Sequence, residues 1–301
     1  MTTPPEWRGT TRWQPRSTGR DEVQVGPLTF VKVDPGTTYV GDDRGGWIHA
    51  SQRPRHEVRV PEFFVLKTPL SAADVTQLSN QDGPATQAPH EGVDAALLQQ
   101  TCAALRAHVP DHLEVRPPSL AEWKRAREAG ALNPLPGVLE ILADAPFSNH
   151  RGAPMDGRPR ERSAHGPLMD QLACIEVHPH KTTATATSSV PMDRRLPGTV
   201  LRLVLSPVRE GPPRTVPQQA DRSANLRVEV MCTLLIGVVP SFLIPVLRGF
   251  GGYALEGWAN LLFGGLVAGF VTGAIWRPRR PTVTWEDGAV YEEDEERKVS
   301  Q

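Results

Sequence analysis

Hydrophobic and polar positions alternate in short runs over the first part of the chain, and each run predicts a strand. In LTFVKVDPGTTYVGD, residues 28–42, two such runs flank Pro35-Gly36, which predicts two short strands around a turn. In HEVRV, residues 56–60, His56, Val58 and Val60 alternate with Glu57 and Arg59, the period of a half-buried strand. The period then lengthens. Ser71 with Asp74 three residues later marks a capped helix start, and between Val93 and His108 the residues Leu97, Leu98, Thr101, Cys102 and Leu105 share one side of a predicted helix. In RPPSLAEWKRAREAG, residues 116–130, the prolines hold the chain extended and Ser119 is the N-cap. Glu122 completes a capping box, and Gly130 suits the residue just past the helix end. Trp123, in the first turn, reads as a core anchor.

Near the C-terminal end the alternation stops. Val230–Leu247 and Gly257–Trp276 are both free of charged residues. A bilayer core of about 30 Å needs about 20 helical residues, so both runs predict membrane spans, and buried helices of a soluble core rarely lack charge over such a length. Pro240 and Pro245 should kink the first span without abolishing it, and Trp258 and Trp276 flank the second at interfacial positions. The connecting loop, 248–256, is too short for a domain, so the pair reads as a hairpin. Arg214, Arg222 and Arg227 precede it, Arg277, Arg279 and Arg280 follow it, and the loop offers Arg248 alone. The positive-inside rule then expects a multi-pass cell-membrane protein with both termini cytoplasmic. Gly265, Gly269 and Gly273 line one face of the second span. Such a strip lets another helix approach closely, either the first span or a second copy in a homo-oligomer.

Composition refines this picture only in places. Of 301 residues, 30 are proline, so long regular elements are not expected over much of the rest, and a net charge of -1 gives no basic field for nucleic acid. Residues 1–23, with Arg8, Arg12, Arg16 and Arg20 among Pro, Thr and Gly, predict a disordered arm without the apolar run of a secretory signal. Cys102, Cys174 and Cys232 form no disulfide framework and are expected as free thiols. The expected order is the arm (1–23), a folded domain (24–207), a linker (208–229), a first span (230–247), a loop (248–256), a second span (257–276) and an acidic cytoplasmic tail (277–301) holding Glu292–Glu296.

Taken in order, PRHEVRV, FFVLKTPLSAADV and PPSLAEWKRAREAG resemble the formylglycine-generating enzyme, or sulfatase-modifying factor, family. The last segment matches the family's Leu-Pro-Thr-x-x-Glu-Trp signature at Pro118, Ser119, Glu122 and Trp123. PGVLEILAD, residues 136–144, resembles a remnant of its Gly-Asn-Val-Trp-Glu-Trp segment, with Glu140 kept and Leu139 and Ile141 in place of the tryptophans. TVLRLVLSP, residues 199–207, resembles its closing strand. The resemblance implies an α+β fold, an irregular C-type-lectin-related domain, here followed by two transmembrane helices. It makes Ser119, Glu122, Trp123 and Glu140 a structural signature.

The resemblance also implies what to look for chemically. Formylglycine-generating members bind copper through two cysteines late in the domain, where this chain has Cys174 alone, and one thiolate cannot supply paired soft ligation. No catalytic residue is carried over, and no cofactor is expected. The expected function is a non-catalytic binding or accessory module, a pseudoenzyme at the cytoplasmic face, with a protein or small ligand as partner. The alternative is a divergent metal-dependent oxidase acting on a protein or small molecule. It would hold copper, zinc or iron through Cys174, His178 and His180, with His165 nearby, against a bland reading of that segment as an exposed loop. Asp42–Gly46, DDRGG, reads as a turn before it reads as a calcium loop.

Overall fold

The structure is a computed structural model that describes residues 15–17, 21–79, 86–162, 168–219, 222–249, 251–252 and 256–290. Its body is a mixed assembly of strands and short helices. A six-stranded antiparallel sheet has the order β1 (Pro15–Ser17), β2 (Asp21–Val25), β3 (Leu28–Val33), β6 (Phe63–Leu66), β12 (Val204–Pro207) and β7 (Leu113–Arg116). Phe63-Phe64-Val65-Leu66 is apolar without interruption because β6 lies inside this sheet and is covered on both faces. Leu66 packs with α1 (Ala72–Ser79) and α2 (Ala95–Arg106) through Val75, Leu78, Leu97 and Leu105. Phe63 and Val65 pack on the other side with Trp123 of α3 (Leu120–Glu128). A second sheet has the order β10 (Thr185–Pro191), β9 (Gln171–Val177), β8 (Leu139–Ile141) and β11 (Thr199–Val200), and β4 (Gly36–Val40) pairs with β5 (His56–Val60).

The three expected helices form, each with its cap. Asp74 accepts from the backbone and hydroxyl of Ser71, Asp94 caps α2 through Leu97 N, and the Ser119–Glu122 capping box is complete. The two short strands around Pro35-Gly36 also form, and they pair apart: β3 joins the large sheet, whereas β4 pairs with β5. Other expectations need correction. The expected closing strand 199–207 is two strands in two different sheets, because Arg202 between them turns inward. The expected arm is too long, since β2 pairs with β3 and β1 with β2; Arg8, Arg12 and Arg20 lie outside the described residues.

Linker and tail are corrected together. Arg214–Thr215 (β13) pairs with Ala289–Val290 (β14), and Val283 N donates to Arg55 O at 2.9 Å while Glu57 N donates to Val283 O at 2.9 Å. Val283 and Trp285 pack against Met155 and Val216, and the guanidiniums of Arg59 and Arg214 lie 4.9 and 5.3 Å from the centre of the Trp285 ring. Residues 277–290 are thus built into the body and are not a tail; Glu292–Glu296 lie outside the described residues.

The first long helix runs from Arg222 to Leu247, starting within the expected linker, and the second from Trp258 to Ile275. Both are long and apolar enough to cross a membrane. Thr233–Val238 of the first helix is π-helical, with Val239 N bonded to Leu234 O. Pro240, one residue further on, has no amide hydrogen to give to Ile236, so the helix widens here and continues.

Candidate binding site

The signature residues come together as two closed networks. Glu122 is fully buried and accepts from Arg116 at 2.6 and 2.9 Å, from the Ser119 amide at 2.8 Å and from the Ser206 hydroxyl at 2.7 Å. Burial would push this carboxyl up, but Arg116 together with the Ser119 amide and the Ser206 hydroxyl outweighs it and holds it below the usual range. Glu140 accepts the Trp123 indole N–H at 2.8 Å and Arg202 bidentately at 2.8 and 2.9 Å. Arg202 spends its remaining donors on the carbonyls of Leu66, Lys67 and Asn133. Each carboxylate oxygen accepts at least one bond within the fold, and both carboxylates are buried away from any ligand. Arg202 was missed in the sequence, although one charged residue inside an apolar run is the mark of a buried partner.

The thiol and imidazoles weighed as metal ligands are not brought together. Cys174 is buried in β9 and shares a hydrogen bond of 3.1 Å with Ser188, and burial pushes its thiol up, away from the thiolate a metal needs. His178 and His180 are exposed beyond the strand end, where His178 Nδ1 accepts the amides of His180 and Lys181 at 3.1 Å. Among the described residues no group of three histidines, cysteines or carboxylates could hold a metal; His165 lies outside them. The Asp42–Gly46 segment is a turn whose carboxylates meet arginines, Asp42 with Arg44 and Asp43 with Arg55 and Arg279.

A different histidine pair is buried. His56 donates through Nδ1 to Pro54 O at 3.2 Å, and its ring lies 5.4 Å from that of His150, whose Nε2 has no hydrogen-bond partner among the described residues. Beside them, with Asp144 and Arg160 in its wall, is a cavity of about 20 Å³, room for about one water. Burial pushes His56 down to about 4. Burial and His56 together push His150 down to about 3.

The glycine strip faces the first helix of the same chain. A Cβ on Gly265 would lie 2.8 Å from Val238 Cα, and one on Gly269 would lie 2.9 Å from Thr233 O. At Gly273 the space is taken by the side chain of Arg277, which folds back along its own helix. Arg277 is buried, donates to Glu229 at 2.8 Å and to Gly269 O at 3.1 Å, and so ties the C-terminal end of the second helix to the first. The body reaches the same point: Gly46 lies against the carbonyls of Ala274 and Ile275, Gly45 against those of Arg277 and Pro278, and Trp47 stacks edgewise on Phe270 at 4.4 Å.

Between body and helices is an open cavity of about 610 Å³. Arg53, Arg151 and Arg280 line it from three separate segments, together with Trp47 and with Asn225 and Glu229 of the first long helix. Glu229 is already committed to Arg277 at 2.8 Å and lies 3.6 Å from Arg280. This cavity was not legible in the sequence, since its arginines are about 100 positions or more apart and converge only through the fold.

No family model matches the chain, and no curated protein matches it. Among solved structures, it is similar to PvdO from Pseudomonas aeruginosa, at 14% identity over 60% of this chain and 94% of that one, with a TM-score of 0.45. It is also similar to Treponema denticola variable protein 1, at 14% identity over 62% and 98% of the two chains with a TM-score of 0.40. For CarF the values are 14%, 61% and 99% with a TM-score of 0.34.

Proposed function

We propose that the chain is a membrane-anchored binding module, with a divergent body of the formylglycine-generating-enzyme type seated on a two-helix hairpin. The observation that carries this reading is the double clamp between the two parts. The segments entering and leaving the hairpin pair as β13 and β14 on the body, and Arg277 locks the helices to each other at the same level. A body joined in this way is held in fixed orientation at the helix ends, and the cavity with Arg53, Arg151 and Arg280 lies at that junction. Exposed Leu235, Phe263, Phe270 and Val271 give both helices an apolar outer surface that a bilayer would cover. The signature residues support a scaffolding role, since all their polar atoms are used internally.

The test is membrane integration with topology. The full chain should resist carbonate extraction. An impermeant thiol reagent applied to intact cells should label a cysteine introduced at Gly251 and leave unlabelled one introduced at the exposed body residue Gln99. Release by carbonate would remove the anchor from the reading, and labelling of the Gln99→Cys variant from outside would invert the orientation.

A further inference from the structure

Among the described residues, the junction cavity is lined by more positive than negative charge. Three guanidiniums face one carboxylate, and that carboxylate is shared with Arg277. Arg151 gives its Nη1 to the carbonyls of Pro217 and Gln219 and is fixed in place by them. Arg280 is held by its backbone amide on Asp43 O at 2.7 Å. Arg53, at the end of the 3-10 turn Trp47–Gln52, has no side-chain hydrogen bond or ion pair among the described residues, and it is half-buried. Burial lowers the Arg53 guanidinium from its ordinary range, and Arg280 and Arg151 repel it further against the weaker pull of Glu229. Three like charges gathered in one partly desolvated hollow are costly without a counter-charge, and a planar donor fork suits a tetrahedral oxyanion. The side-chain amides of Asn149, Gln219 and Asn225 add neutral donors around the same space.

We infer that this cavity binds a phosphate group, with Arg53, Arg151 and Arg280 as its donors. The inference rests on the binding-module reading above and names the ligand class of its cavity. At about 610 Å³ the space exceeds inorganic phosphate and suits a phosphate carried on a small polar body. Two sources have that chemistry: the headgroup of an anionic phospholipid, reachable because the cavity borders the first long helix, and a soluble phosphate ester.

The experiment uses the full chain in an uncharged detergent and in vesicles of phosphatidylcholine with or without phosphatidylglycerol. Inorganic phosphate and glycerol phosphate are titrated calorimetrically, and retained lipid is weighed by native mass spectrometry. Arg53→Gln is the informative variant because the side chain makes no hydrogen bond or ion pair among the described residues, and it should weaken phosphate binding by about tenfold or more. Arg44→Gln, at an exposed arginine outside the cavity, should leave binding unchanged. Glycerol phosphate bound without retention of phosphatidylglycerol identifies a soluble ester. Phosphatidylglycerol retained by wild type, lost in Arg53→Gln and displaced by phosphate identifies the lipid. No phosphate binding together with no selective retention, or equal behaviour of the two variants, overturns the site. Carbonate extraction of wild type would instead defeat the anchoring reading, and the detergent titration would still decide the phosphate site.

Discussion

The Trp123 indole N–H donates to the Glu140 carboxylate at 2.8 Å, joining the first turn of α3 to β8 across 17 positions. Arg202 closes the arrangement from the opposite side, so one fully buried aromatic ring and one buried ion pair share two carboxylate oxygens. Removing one partner leaves the other charged and unanswered in the core. Glu140→Ala should destabilise the body by about 3–5 kcal/mol, and Trp123→Ala by a similar amount through the lost ring. Trp123→Phe keeps most of the packing and loses the bond, which should cost about 1.5–3 kcal/mol. Urea unfolding of the full chain in detergent checks the order. Equal stability of Trp123→Phe and wild type would mean that the indole bond contributes nothing.

These residues show how far the sequence could be read. The capping boxes at Ser71 and Ser119 and the alternation in His56–Val60 depend on neighbours a few positions away, and all three form as expected. The partnership of Glu140 with Arg202 depends on a contact 62 positions apart, and nothing local encodes it. The return of Val283 and Trp285 onto Arg55 and Glu57 was hidden for the same reason. A proline- and arginine-rich segment after an apolar run reads as a tail until its edge pairing is seen. The glycine strip was legible as a packing face, but its occupant, the first helix and the Arg277 side chain, was not.

His56 and His150 give the body a pH dependence with a defined sign. Both rings are held neutral, with folded values of about 4 and about 3 against an ordinary 6.5. Lys124 and Arg160 add repulsion to the cost of charging either ring. Well above pH 6.5 neither the folded nor the unfolded state binds a proton at these sites. Below it the unfolded chain takes protons that the fold refuses. Stability is therefore lost as pH falls from 6.5 toward about 4 for His56 and about 3 for His150, at about 1.4 kcal/mol per pH unit for each ring. Denaturant titrations of wild type and His150→Asn across this window should differ in slope by one such proton. Parallel curves would show that His150 charges freely in the fold.

Cys174 tests the metal alternative. Its thiol sits in the apolar cluster with Leu172 and Val190, and burial keeps it protonated. Thiol reagents should modify it only on unfolding, and Cys174→Ala should leave the metal content of the purified full chain unchanged. Stoichiometric copper, zinc or iron in wild type that disappears in Cys174→Ala would revive the oxidase reading.

The glycine strip supplies the last test, because the structure contains its own control. Gly269 is closed in by Thr233, whose Oγ1 also lies 3.5 Å from Arg277 Nη2. A Cβ at Gly264, one helix face away, would meet nothing within 4 Å. Leucine at either position changes hydrophobicity equally, so any difference between the variants reports packing alone. At Gly269 the added side chain meets backbone and must push the helices apart, which costs about 1–3 kcal/mol or more. Separation at this level also pulls Glu229 away from Arg277 and loosens the seat of the body. Gly269→Leu should therefore lower the melting temperature of the full chain in detergent and speed alkylation of Cys232, adjacent to Thr233, in a Cys102→Ala, Cys174→Ala background. Gly264→Leu should do neither. If both variants alkylate and melt like wild type, the close approach of the two helices at Gly269 does not hold the hairpin together.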